Sequence, residues 1–191
     1  MQPQHDRHAA PSPQRAIVVG AFGFAIVSLC VFATVAFGER WMYQTLGLIG
    51  AYLAWTGMFI LLGGGVIGSL VVGRWRLPKF YLLFALAFFV YAVGWVLAYF
   101  LVRGRAGELI GSLAGSFLMG SVLTIALGAA RSTLYLSALL FVANSIGYFL
   151  GAAVYDSLGR PIGMLLWGVI YGLFLGAGLG LLLHFAQRKR V

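Results

Sequence analysis

Charge is scarce in this chain: 9% of its 191 residues are Asp, Glu, Lys or Arg, and only four of those are acids. A water-soluble domain carries about 25% charged residues, so too few polar side chains are available to coat a surface facing water. Disorder is excluded by the same count, because a disordered chain combines low hydrophobicity with many charges. Cysteine is nearly absent too. A lone Cys30 rules out an intrachain disulfide, a Cys-x-x-Cys redox pair and a thiolate zinc site, and its position within an apolar run reads as a small buried hydrophobe. The acids Asp6, Glu39, Glu108 and Asp156 all fall outside the long apolar runs, so a carboxylate proton relay and a clustered catalytic metal both lack their parts. Ser116 is placed in the outer half of its run and His184 near the opposite interface, which leaves no serine with a base beside it. No glycine-rich phosphate loop with its lysine is present. The expectation is a chain with no catalytic residues, no metal and no cofactor.

What the chain has in abundance is hydrophobicity, at 62% apolar residues. Charge-free runs cover 16–38, 41–73, 80–102, 109–130, 132–155 and 161–187. Each reaches the roughly 20 residues that a helix needs to cross a hydrocarbon core of about 30 Å. Lipid offers no partner to free backbone groups, and the runs lack the alternation of barrel strands, so helices are expected. The fold class is therefore all-α: a polytopic membrane protein, a bundle of six transmembrane helices over about 16–38, 47–72, 80–102, 109–130, 132–155 and 161–185. Residues 1–15, with His5 and His8, form a disordered tail in this reading, and 186–191 a basic one. Arg15 with Thr34-Val35-Ala36 has the parts of a cleavable signal, but the apolar run between them is longer than the usual 7–15-residue core.

Basic residues set the orientation. The N-terminal tail, the second and fourth loops and the C-terminal tail hold nine: Arg7, Arg15, Arg74, Arg76, Lys79, Arg131, Arg188, Lys189 and Arg190. The opposite side holds four, Arg40, Arg103, Arg105 and Arg160, with three acids beside them. The positive-inside rule then puts both termini in the cytoplasm. Trp75, Phe80 and Tyr81 mark one interface, and Trp41, Tyr43, Tyr99 and Tyr155 the other. Membrane topology and anionic lipid account for the net charge of +9, so no nucleic-acid partner is expected. The expected partners are the bilayer and either further copies of the chain or another membrane protein. No organelle-type targeting segment is evident, which fits a bacterial inner membrane.

Sliding 51–105 against 134–188 gives nine identities over 55 positions, among them Gly64 with Gly147, Gly68 with Gly151, Pro78 with Pro161 and Arg105 with Arg188. That is weak for so biased a composition, yet it suggests a 3+3 inverted repeat, an arrangement common in transporters whose sites lie where helices are interrupted. The matching weak points would be Gly63, Gly64 and Gly65 in one half, and 143–147 in the other.

Small residues let helices approach closely in lipid. The last run carries Gly168, Gly172, Gly176 and Gly180 at intervals of four, a glycine-zipper pattern assigned to helix packing. The fourth carries Ser112, Ser116, Gly120, Thr124 and Gly128 on one face. The third is built oppositely: Phe80, Phe84, Phe88, Tyr91, Trp95 and Tyr99 line one helical face. Such a stripe faces lipid or fills the bundle, and Phe84 to Tyr99 could also stack a flat lipophilic ligand.

Asn144 is the most polar residue deep in any run. An unpaired amide there costs several kcal/mol, so it must bond across helices or line a wet cavity. Ser145 and Thr56, beside Trp55, are candidates to join it, with Gly63 to Gly65. The functional expectation is a transporter or channel for a small or lipophilic solute. The alternative is a non-catalytic membrane subunit or assembly factor of a larger complex.

Overall fold

The computed structural model describes residues 11–72 and 77–188, for Leu77 the backbone alone. His5, His8, Asp6, Arg7, Arg74, Arg76, Lys189 and Arg190, assigned above to tails and loops, and Trp75, assigned to an interface, lie outside the described residues. The described chain is all-α. Its elements are α1 (Pro13–Gly68), α2 (Leu77–Val102), α3 (Gly104–Ala126), a 3-10 turn over Ala130–Ser132, α4 (Thr133–Leu158) and α5 (Ile162–Arg188). These five long helices are apolar enough to cross a membrane.

Helix α1 starts where Ser12 accepts a hydrogen bond from the Arg15 amide at 3.2 Å, with Pro13 in the first turn, a start signal in which the serine oxygen satisfies a free amide and proline gives up no bond. Its 56 residues would extend about 84 Å as a straight helix. They do not run straight. Gly47 has φ +68° and ψ 178°, a conformation that side chains resist, and the chain folds back there. Phe24 stacks on Phe59 with ring centroids 5.8 Å apart, and Tyr43 meets Trp55 edge-on at 5.7 Å. The Trp55 indole donates to Thr34 Oγ1 at 3.1 Å. These pairs join limb 13–46 to limb 48–68 in antiparallel order.

The elements pack in a ring. Helix α1 lies mainly on α5, α5 on α4, α4 on α3 and α3 on α2, and the ring closes through a much thinner contact between α2 and α1. The thick α1–α5 contact comes from small residues. A Cβ added at Gly172 would strike the Phe24 carbonyl oxygen and Ala25 Cα, one at Gly176 the Gly20 carbonyl, and one at Gly180 the Ala16 carbonyl. Gly168 seats the Phe32 side chain, with the Ser28 carbonyl a little farther off. The other three glycines lie where the two backbones touch.

Turns are short. Arg103 (φ 59°) and Gly104 (φ 61°) reverse the chain between α2 and α3. Helix α3 thus begins before the charge-free run does, with Arg105 and Glu108 in its first turns. Ser112, Ser116, Gly120 and Thr124 face inward as their spacing predicts, whereas Gly128 leaves the helix at φ 74° in an exposed turn. At one end of the bundle His184 Nδ1 pairs with the Pro11 carbonyl at 2.7 Å, and Gln187 bonds the Val72 amide and the Leu70 carbonyl. At the other end Arg160 forms an ion pair with Glu39.

Three readings of single residues need correction. Cys30 is exposed, on the outer side of α1, because the inward positions around it go to Val27, Ser28 and Val31. Phe80 is 1% exposed and so faces the core, stacked on Phe84 at 5.9 Å. His184, at the end of the bundle, is buried as well rather than free, held by the Pro11 carbonyl.

Candidate functional site

Tyr91 stands on the inward face of α2 and opens the most connected polar feature in the bundle. Its hydroxyl donates to Asn144 Oδ1 at 2.9 Å and lies 2.9 Å from the Tyr171 hydroxyl. On the other side Asn144 Nδ2 donates to Ser112 Oγ at 2.7 Å, and Ser112 meets Ser145 Oγ at 2.8 Å. One chain of five side chains thus ties α5, α2, α4 and α3 together at mid-depth. Tyr91 has a single proton and spends it on Asn144, so Tyr171 must be the donor in the tyrosine pair. Asn144 is completely buried, and both of its amide atoms are paired, which is the condition for keeping such a group in an apolar interior.

The two tyrosines also border a cavity of about 240 Å³. Trp55, Thr56 and Phe59 line it from the second limb of α1, Phe88 and Trp95 from α2, and Tyr148 from α4. The walls are almost wholly aromatic or aliphatic. Alongside it runs a second space of about 400 Å³, lined by Leu48, Ile49 and Leu53 of α1 and by Phe89, Val93, Leu97 and Phe100 of α2. Tyr52, Thr56, Ala92 and Val96 border both. Several residues of the outer space are among the most exposed large hydrophobics, Ile49 at 76% and Leu97 at 57%. The cavity therefore adjoins an apolar groove on the outside of the bundle, at the seam where α1 and α2 touch least.

The residues singled out from sequence are distributed over this arrangement unequally. Asn144 and Ser145 are joined through Ser112, not directly. Thr56 borders the cavity beside Tyr91 and Tyr171 but has no bond to Asn144. Gly63, Gly64 and Gly65 are elsewhere: Gly63 seats Phe24 and Phe84, and Gly64 and Gly65 seat the Tyr81 ring and hydroxyl. Helix runs unbroken through 63–65 and through 143–147. The paired interruptions expected from the repeat are therefore absent, and the glycines serve as seats for aromatic rings.

The aromatic stripe of α2 divides in two. Phe84, Phe88 and Tyr91 are buried, with Phe88 stacked on Phe59 at 5.2 Å. Trp95 and Tyr99, stacked at 5.3 Å, are half-buried toward the far end. The stripe faces the ring interior.

Sequence reasoning missed Tyr171, Tyr148 and Trp167. For Tyr171 a signal was present: it is the one tyrosine in the glycine-rich last helix, and a hydroxyl at that depth needs a partner. Among the described residues no cluster of three or more His, Cys, Asp or Glu exists to hold a metal. Compared with protein-family models, curated proteins and solved structures, the chain matches none of them.

Proposed function

We propose that this chain is a six-crossing membrane protein, with both ends cytoplasmic in a bacterial inner membrane, that takes up a lipophilic molecule from the hydrocarbon and passes it through the aromatic cavity. The count of six treats the two limbs of α1 as separate crossings, which their antiparallel packing about Gly47 supports. The proposed role is non-catalytic, binding through the stacking faces and hydroxyls that border the cavity.

The observation that carries the reading is the lateral continuity of the site. Most small-molecule pockets are concave, apolar and fitted with a few polar groups that fix orientation. Here the apolar walls adjoin a groove at the α1–α2 seam, so a ligand dissolved in lipid needs no aqueous route. Tyr91 and Tyr171 form the polar edge: Asn144 holds the Tyr91 hydroxyl, and that hydroxyl holds the one of Tyr171.

Tryptophan fluorescence tests this directly, since Trp55 and Trp95 line the cavity. A short-chain benzoquinone added to the protein in lipid nanodiscs should give a saturable quenching component above the linear background from lipid-exposed indoles. Ala92→Phe, which fills the shared wall, should remove the saturable part. Purely linear quenching of the unsubstituted protein would overturn the proposal.

A further inference from the structure

A third space, of about 290 Å³, lies at the end of the bundle where α3 begins and α4 ends. It differs in kind from the other two. Arg105, Glu108 and Asp156 supply charge, and Tyr148, Tyr155 and Trp167 supply rings. Trp167 sits in contact with both tyrosines, its centroid 5.4 Å from Tyr148 and 5.6 Å from Tyr155. Its buried indole N–H has no acceptor among the described residues.

Glu108 lies against the Tyr148 hydroxyl, yet the charges are not paired with one another. Among the described residues the one ion pair is Glu39 with Arg160, so neither Glu108 nor Asp156 is bridged to a cation, and Arg105 is not bridged to an anion. Opposite charges that border one pocket without pairing there leave room for a ligand carrying both signs. Two carboxylates beside aromatic faces suit an ammonium group, through charge and through the negative ring faces. The forked guanidinium suits a phosphate. A volume near 300 Å³ is at the small end of ligand sites.

We infer that this pocket binds a zwitterionic ammonium phosphate, the chemistry of a phosphoethanolamine or phosphocholine group. Tyr148 borders both this pocket and the aromatic cavity, and stands 5.8 Å from Trp95. A molecule with its polar group here would lay its apolar part toward that cavity. The inference therefore rests on the proposed lipophilic site for the tail, while the polar group is recognised by its own residues.

Native mass spectrometry from nanodiscs of equal phosphatidylethanolamine and phosphatidylglycerol tests it. The protein should retain phosphatidylethanolamine in roughly tenfold excess, the ratio expected of one well-placed charged contact. The double variant Glu108→Gln, Asp156→Asn should lose that excess, and Arg105→Gln should lower retention of both lipids. Equal retention by the unsubstituted protein, or an excess that survives the double variant, would overturn the inference. Adding millimolar glycerophosphoethanolamine separates the sources: displacement of the retained lipid assigns the pocket to a free zwitterion, and retention assigns it to the lipid. Either result supports the chemistry.

The two readings fail separately. An excess abolished by the double variant, together with purely linear quinone quenching, would leave the polar pocket standing and remove the cavity. Saturable quenching with equal lipid retention would do the reverse.

Discussion

Gly20 and Gly176 meet with no side chain between them, the backbone of α1 resting on the backbone of α5. A Cβ on either would overlap the carbonyl of the other. Backbone atoms cannot swing aside as a side chain would, so this contact tolerates no enlargement. Gly176→Leu should destabilise the protein by about 3 kcal/mol, the upper end of overpacking costs, read as a lowered midpoint of unfolding in mixed detergent micelles. Gly57→Ala is the control. Nothing lies within 4 Å of that position, and replacing a helical glycine there should be neutral or stabilising by up to about 1 kcal/mol.

Asn144→Leu should cost about 1–3 kcal/mol, because it strands the Tyr91 and Ser112 hydroxyls in an apolar interior. Tyr91→Phe removes the same bond from the other side. Combining the two should cost less than the sum, by about 0.6 kcal/mol and at most about 1.7 kcal/mol, the average and maximum for hydrogen bonds between membrane helices. Strict additivity in the cycle would mean that the bond contributes nothing.

Glu39 and Arg160 are 25% and 40% exposed, so their pair should behave as a surface one. A hydrogen bond with Tyr155, then the neighbouring Glu39 carboxylate, push the Arg160 guanidinium above its ordinary pKa. A raised folded pKa stabilises at every pH below the unfolded value and is lost only in strong alkali, so this pair should leave stability flat between pH 6 and 9. Glu39→Gln should cost about 0.2–1 kcal/mol at low salt and less at high salt. Unfolding midpoints compared across pH check the first statement, and across ionic strength the second.

Single cysteines placed at Lys79 and Asp156, in a Cys30→Ala background, should react with a membrane-impermeant maleimide from opposite sides. Both positions are exposed, at opposite ends of the bundle. Labelling of Lys79→Cys from outside intact cells would reverse the proposed orientation, and labelling of both from one side would remove the crossings between them.

Much of the helix layout was legible from where charge is missing. The run over 132–155 anticipates α4, and the run over 80–102 ends with α2 at Val102. Boundaries failed where charge and helix coexist: Arg105 and Glu108 ride in the first turns of α3, because a helix end at a polar pocket can carry them. A break in α1 was legible from Glu39 and Arg40, which part the runs 16–38 and 41–73; its position at Gly47 was not, since nothing local says which of Gly38, Gly47 and Gly50 adopts positive φ.

At the candidate site, depth and polarity singled out Asn144, and periodicity gave the face of Tyr91. What lay opposite each was hidden, because a helical stripe records which residues share a face and not which helix meets it. Gly63 to Gly65 misled for a related reason: a glycine run reads alike whether it weakens a helix or seats the rings of Phe24, Phe84 and Tyr81.

The hydroxyl sequence from Tyr171 through Tyr91 and Asn144 to Ser112 has one further consequence. An amide interrupts it in the middle, and turning that amide to pass a proton along would exchange its donor and acceptor ends. The arrangement is a row of fixed dipoles, an insulator laid across the ring. A proton therefore cannot pass from the tyrosine end of this row to the serine end while the amide keeps its orientation.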